Sequence, residues 1–251
     1  MPYFFKESAG LMAESEITLD QQDVHHACRV LKLAKGAAVT VADGRGAAFQ
    51  GVICSAGPRE VVVRLIEPAE PHESSLQITL LQSLAKGEKM DLIIRQAVEL
   101  GAARVVPMAT ERSIPQFTAS REVGRLKRWQ KISQAAAAQC RRARLPRIEP
   151  VCRFEQVLDM ARHCLSIVPW EMEKKQSLFE LLRQPRPKHG AILLCIGPEG
   201  GFSRGEIESL TAAGAVSVHL GPRILRAETA AITALAMVQS AWGDLGPAQE
   251  S

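Results

Sequence analysis

Aromatic residues make up only 4% of this 251-residue chain, with a single tyrosine. Proteins that hold single strands of nucleic acid on open stacking platforms need more rings, so an OB-fold binder is disfavoured. Long apolar runs are also missing. No stretch approaches the roughly 18 uninterrupted apolar residues of a membrane span. The opening MPYFFKESAG has no basic segment followed by an apolar one, so no signal peptide is expected. These absences lead us to expect a cytoplasmic protein with no membrane partner. Six cysteines, at 28, 54, 140, 152, 164 and 195, form no C-x-x-C pair, and six histidines show neither H-x-x-x-H nor H-x-H spacing. A metal site is therefore not expected, and the thiols should be reduced and mostly buried. At 46% hydrophobic and 23% charged, the composition is that of a globular chain with room for one large domain or two modest ones.

Acids are scarce in one segment. Between Arg121 and Arg147 stand nine basic residues (Arg121, Arg125, Lys127, Arg128, Lys131, Arg141, Arg142, Arg144 and Arg147) against the single acid Glu122. That segment carries +8 of a net charge of +4, which leaves the remainder at −4. Such a local concentration of positive charge points to a polyanion, with nucleic acid the expected partner.

The first third of the chain reads mostly as strand. A short helical stretch over 20–31 is followed by alternation at Val39, Val41, Val61, Val63 and Leu65, with turn signals at Asp43-Gly44 and Gly57-Pro58. Turns about ten residues apart suggest a small antiparallel barrel or sandwich. The stretch EPAEPHESS, residues 67–75, reads as an interruption between two domains. Strand–helix alternation begins at Leu76. LQITLLQSL is a strand, and KGEKMDLIIRQAVELG is a helix with Met90, Ile93, Ile94, Ala97 and Leu100 on one face, closed by Gly101. A basic helix follows with Leu126, Trp129, Ile132, Ala136 and Cys140 at three- and four-residue spacing. Apolar runs recur at LSIVPW, AILLCIG and VSVHLG, each ending in glycine, or in proline and tryptophan. This is the pattern of an α/β domain with a buried, largely parallel sheet, in which ligands bind at the C-terminal ends of strands. Three such ends, 168–170, 196–201 and 220–226, are the candidate site.

The densest of these is Gly197-Pro198-Glu199-Gly200-Gly201, after which Ser203 and Glu206 form an S-x-x-E capping box that starts a helix at about Arg204. Glycines there let bare backbone groups approach a ligand. The loop is neither a phosphate-binding G-x-x-x-x-G-K-[ST] nor a G-x-G-x-x-G, and no ribose-binding acid follows about 20 residues on, which disfavours a nucleotide-dependent oxidoreductase. In HLGPRILRAETAAITALAMV, residues 219–238, the strand–Gly-Pro device recurs and leads into a helix rich in small residues. Arg223 and Arg226 lie at its start and Glu228 in its first turn, where an acid is also favoured by the helix dipole. From the residues alone this is a ligand cleft beside a polyanion-binding helix. It is compatible with an enzyme and with a non-catalytic RNA-binding factor.

IGPEGGFSRGEIESL and LGPRILRAETAAITAL resemble the two hallmark motifs of the ribosomal small-subunit methyltransferase E family, of the SPOUT class. GEKMDLIIRQAVELG, ERS at 111–113, RWQKI at 128–132, QCRRARLPRI at 139–148 and HHACRVLKLAKG near the N-terminus are similar to further segments of that family. One departure is Ala138, where the pattern has a glutamate before Gln139. The resemblance covers nearly the whole chain. It implies an α/β SPOUT trefoil-knot methyltransferase domain, residues 76–246, preceded by a PUA-like RNA-binding β-barrel, residues 1–70, and a linker, 71–75. It implies a homodimer that uses S-adenosylmethionine to methylate N3 of one uridine in 16S ribosomal RNA on the assembled small subunit. The expected catalytic residues are Arg226, as a fixed cation, with Glu199 and Glu228 as proton acceptors. Pro169, Trp170, Ile196, Gly197, Gly201, Leu220, Gly221, Ile224, Leu225 and Ala230 are expected around the cofactor. Arg29, Lys32, Arg141, Arg142 and Arg144 are expected on RNA.

Overall fold

A computed structural model describes residues 1–6, 10–113, 119–187 and 191–246, without the side chains of residues 119–121. The chain forms two compact units: residues 1–73 with 137–145, and residues 74–136 with 146–251. Residues 137–145, the end of the basic helix and the stretch after it, thus belong to the first unit.

In the first unit, strands β1 (Tyr3–Phe5), β2 (Glu16–Thr18), β3 (Ala38–Ala42), β4 (Ala48–Ala56) and β5 (Val61–Pro68) form one sheet in the order β1-β3-β4-β5-β2. Neighbours run antiparallel except β1 and β3, which pair in parallel. The alternating valines marked the buried face: Val39, Val41, Val61, Val63 and Leu65 are fully buried around Phe4 and Ile53. Register shifts at Gln50/Gly51 and Ile53/Ser55 bend the long strands. The helical stretch expected over 20–31 is an α-helix α1 (Gln21–His25) that widens into a π-turn at His26–Val30. The expected interruption at 67–75 begins later, because Glu67 and Pro68 still pair with Gln50 and Phe49 as part of β5.

The second unit is built on a parallel sheet. Its strands are β6 (Gln77–Ser83), β7 (Arg104–Ala109), β8 (Arg147–Ile148), β9 (Cys152–Arg153), β10 (Leu165–Pro169), β11 (Ala191–Ile196) and β12 (Val216–Val218). They run in the order β12-β10-β11-β6-β7-β8, with β9 paired to β7. Between them come helices α2 (Lys89–Glu99), α3 (Ala119–Gln139), α4 (Phe154–Ala161), α5 (Leu178–Leu182) and α6 (Arg204–Ala212), and after β12 comes α7 (Ala227–Trp242). Alternate residues of one strand enter different cores. Ile192, Leu194 and Ile196 of β11 pack with residues of α2, α5 and α7, while Leu193 and Cys195 pack with residues of α4 and α6. Burial on both faces is why the strands read as unbroken apolar runs. α3 ends at Gln139, so Cys140 lies just past the helix that its spacing suggested. Among the described residues, no helix is long and apolar enough to cross a membrane.

Because β10, β11 and β12 are parallel neighbours around β10, their C-terminal ends emerge on one side. The loops that follow them make the site.

Candidate active site

Those three loops enclose a cavity of about 540 Å³, lined by residues 169–171, 196–202 and 219–227 together with Lys89 and Ala230. This volume lies within the range of about 300–1,000 Å³ typical of small-molecule sites. Every residue expected around a cofactor lines it: Pro169, Trp170, Ile196, Gly197, Gly201, Leu220, Gly221, Ile224, Leu225 and Ala230.

Each loop is held by identifiable bonds. Trp170 N donates to Val218 O at 2.9 Å, and Glu173 Oε1 accepts the amides of Lys174 and Lys175 at 2.9 and 2.8 Å, closing the turn after β10. After β11, Gly201 N donates to Pro198 O at 2.9 Å, and Ser203 caps α6 with Glu206 answering, as the S-x-x-E spacing required. Glu206 is nearly buried and also accepts the Glu111 amide at 2.8 Å, while Arg112 donates to Gly200 O at 3.0 Å. The ERS segment after β7 therefore latches the glycine loop. After β12, Gly221 N donates to His219 Nδ1 at 3.2 Å, and Gly221 at φ +105° makes a turn that L residues rarely adopt.

Of the three expected catalytic residues, the structure brings two to the cavity lining. Arg226 caps α7 through its backbone, and its guanidinium makes no ion pair or hydrogen bond among the described residues. Glu199 lines the cavity and accepts from Lys89 Nζ at 3.1 Å and from Lys86 N at 3.5 Å. Burial raises the pKa of Glu199, but the bonds from Lys89 and the backbone outweigh it and hold the carboxyl below its ordinary value. Glu228 is not part of the lining. Its Oε2 is buried without a hydrogen bond, 3.7 Å from Lys89. Lys89, at the first position of α2, thus joins the two motif glutamates. Sequence reasoning placed it in a helix and gave it no role. Trp170 Nε1 is also buried without a hydrogen-bond partner among the described residues.

The residues expected on RNA divide. Arg29 and Lys32 border a separate groove of the first unit, of about 740 Å³, formed with Gln21, His25 and residues 56–59. Arg59 adds a third cation, and among the described residues no acid lines the groove. Arg141 takes a left-handed φ of +62°. The peptide of Arg144 bridges to Gly44 and Arg45, and its amide donates to Glu73 Oε1 at 2.7 Å, while the residue as a whole is exposed. Arg142 has to be corrected. It is only 5% exposed and donates Nε and Nη2 to Glu73 Oε2 at 3.3 and 3.0 Å, so its charge is spent inside the unit. Arg121, the first cation of the basic segment, has its side chain outside the described residues.

Known proteins of the same construction narrow the chemistry. An RNA methyltransferase domain family matches residues 72–239, and an RNA methyltransferase PUA domain family matches residues 19–66. The ribosomal RNA small subunit methyltransferase E of Bacillus subtilis is 32% identical over 242 residues, 94% of each chain. A ribosomal RNA small subunit methyltransferase E from Neisseria gonorrhoeae, solved bound to S-adenosyl methionine, is 32% identical and superposes with a TM-score of 0.87 over 97% of this chain and 99% of that one. A Legionella pneumophila methyltransferase solved with its cofactor SAM is 31% identical, with a TM-score of 0.87 over 97% and 98%. A PUA-like unit followed by a SPOUT-type α/β unit, both hallmark loops intact around one cavity, and relatives aligned nearly end to end leave one assignment: the protein belongs to the ribosomal RNA small subunit methyltransferase E family.

Proposed function

We propose that the protein methylates N3 of one uridine in 16S ribosomal RNA, acting on the assembled small subunit in the cytoplasm as a homodimer that uses S-adenosylmethionine. The observation that carries this reading is the convergence of both motif loops on one cavity, with the guanidinium of Arg226, unpaired among the described residues, in its wall. The lining fits the cofactor. Bare backbone at Gly197, Gly200 and Gly221 can meet the edge of an adenine. Ile196, Leu220 and Leu225 offer apolar walls, and the buried Trp170 N–H lacks an acceptor among the described residues. When bound, S-adenosylmethionine supplies an electrophilic methyl group on a sulfonium centre, open to in-line attack.

The chain's own residues must make uracil N3 a nucleophile. An N3–H proton has to leave, and the charge left behind spreads over the ring carbonyls. Arg226 meets that charge with a cation that no other described side chain neutralises, inside a partly enclosed cavity where such stabilisation is strongest. Glu199 is the acceptor that reaches the cavity. Held below its ordinary pKa it is a weak base, so the larger share of the barrier falls to Arg226. The target nucleotide enters unpaired or extruded from its stack. Arg29, Lys32, Arg141 and Arg144 then hold the flanking phosphates.

The test is transfer of labelled methyl groups from S-adenosylmethionine to small subunits from cells lacking this activity, read by nucleoside mass spectrometry. A single N3-methyluridine is expected from the wild-type protein, and none from Arg226→Ala, which keeps its cofactor affinity. Tight cofactor binding without incorporation would move the reading to another RNA. Absence of both would leave a non-catalytic RNA-binding factor.

A further inference from the structure

Pairing off the charges around the cavity leaves one acid over. Lys89 holds Glu199 and Glu228. Arg223 and Arg226 line the side nearest α7 with no ion pair among the described residues. On the loop after β10, Glu171 lines the cavity directly after Trp170, and among the described residues its carboxylate has neither a hydrogen bond nor an ion pair.

The backbone that carries this carboxylate has a fixed place. The turn carrying it is closed on both sides by Trp170 N to Val218 O and by Glu173 N to Trp170 O, at 2.9 and 3.2 Å. It also lies against Gly201 of the neighbouring loop. A Cβ at Gly201 would stand 2.2 Å from Glu171 Oε1, 2.9 Å from its Cδ and 3.1 Å from Oε2. The β10 and β11 loops therefore meet at an acid for which the second loop has left out a side chain. Among the described residues the lining thus carries one anion without an ion pair, Glu171 on the loop after β10, and two cations without one, Arg223 and Arg226 ahead of α7.

We infer that Glu171 recognises the cationic portion of the cofactor, its sulfonium and ammonium groups, a role that rests on the methyltransferase reading above. The α7 side is thereby left for the negative charge of the nucleotide. A hydrogen-bonded role toward ribose hydroxyls would survive replacement by glutamine, which keeps an acceptor, whereas attraction for a cation would not.

The experiment is calorimetric titration of the wild-type protein and Glu171→Gln with three ligands: S-adenosylmethionine, S-adenosylhomocysteine and 5′-methylthioadenosine, which carries neither cation. Glu171 is exposed, so the substitution leaves the fold intact. We expect S-adenosylmethionine to bind Glu171→Gln about tenfold more weakly, as for a lost charge-assisted contact, with methylthioadenosine unchanged. The loss for S-adenosylhomocysteine, which keeps only the ammonium, divides the effect between the two cationic groups. Unchanged affinity for S-adenosylmethionine, or an equal loss for methylthioadenosine, overturns the inference. A wild-type protein that binds none of the three overturns the methyltransferase reading as well.

Discussion

The three glycines of Gly197-Pro198-Glu199-Gly200-Gly201 are chemically identical, yet their surroundings predict three different responses to alanine. Gly201 has φ +69°, a left-handed conformation that costs an L residue about 1–2 kcal/mol. Its new Cβ would also fall 2.2 Å from Glu171 Oε1, which as the end of a flexible side chain can swing aside. The stability loss should thus stay near the backbone cost, a fall in Tm of about 2–8 °C for a chain of this size. The displaced carboxylate should weaken S-adenosylmethionine by about the tenfold expected of Glu171→Gln. In a Glu171→Ala background, Gly201→Ala should cost the same stability but no further affinity. Gly197→Ala would place its Cβ 3.1 Å from Phe202 Cδ2 and 3.3 Å from Phe202 N, a crowding that needs a shift of a few tenths of an ångström, so its effect should be intermediate. Gly200→Ala points at Arg112 carbons 3.6 Å away, an ordinary contact, and should be nearly silent. Differential scanning fluorimetry and calorimetric titration on the three variants measure both quantities. A Gly200→Ala protein as damaged as Gly201→Ala would refute the reasoning, as would a Gly201→Ala protein with unchanged affinity.

Three other outcomes follow from the geometry. Lys89→Gln removes the cation shared by Glu199 and Glu228; methyl transfer should slow by about tenfold and recover in Lys89→Arg, and full turnover in Lys89→Gln would dismiss the link. Burial first, then repulsion from Asp20, lifts the pKa of Asp23 from 3.8 to about 6, against the pull of His26 and Lys6; because the fold favours the protonated form, this stabilisation is complete below pH 3.8, declines as pH rises to about 6 and is absent above, so Asp23→Asn should raise Tm at pH 7 and leave it unchanged near pH 3.5. Replacing Arg29 and Lys32 together by alanine should weaken subunit binding and flatten its log–log salt dependence by about 2, whereas Arg142→Gln should lower Tm and leave the salt slope alone.

Much of the second unit was legible because each of its rules is local. Apolar runs ending in glycine, or in proline and tryptophan, marked the strands, S-x-x-E marked the start of α6, and parallel order alone gathers the three strand ends. What escaped detection depends on residues far apart in the chain. Lys89 meets Glu199 from a distance of 110 residues, and nothing in its own neighbourhood announces a partner. Arg142 looked like its exposed neighbours because sequence records its charge and not Glu73, 69 residues upstream, which absorbs it. Glu171 gained its place from a glycine on another loop. In the first unit the alternating valines gave the core, but nothing local signals the parallel pairing of β1 with β3, nor the π-turn after α1.

The return of residues 137–145 to the first unit also sets an order of events during synthesis. The N-terminal sheet emerges first, yet Ala137, Arg142 and Ala143, all buried, and the bridges from Arg144 to Gly44 and Arg45 are still to come. Glu73 waits some seventy residues for its guanidinium. The unit that begins the chain therefore closes only after β6, α2, β7 and α3 have been made, and a chain cut anywhere between them leaves it unfinished. No single cleavage separates the two units whole, so any transplant of the N-terminal unit has to carry a copy of 137–145 with it.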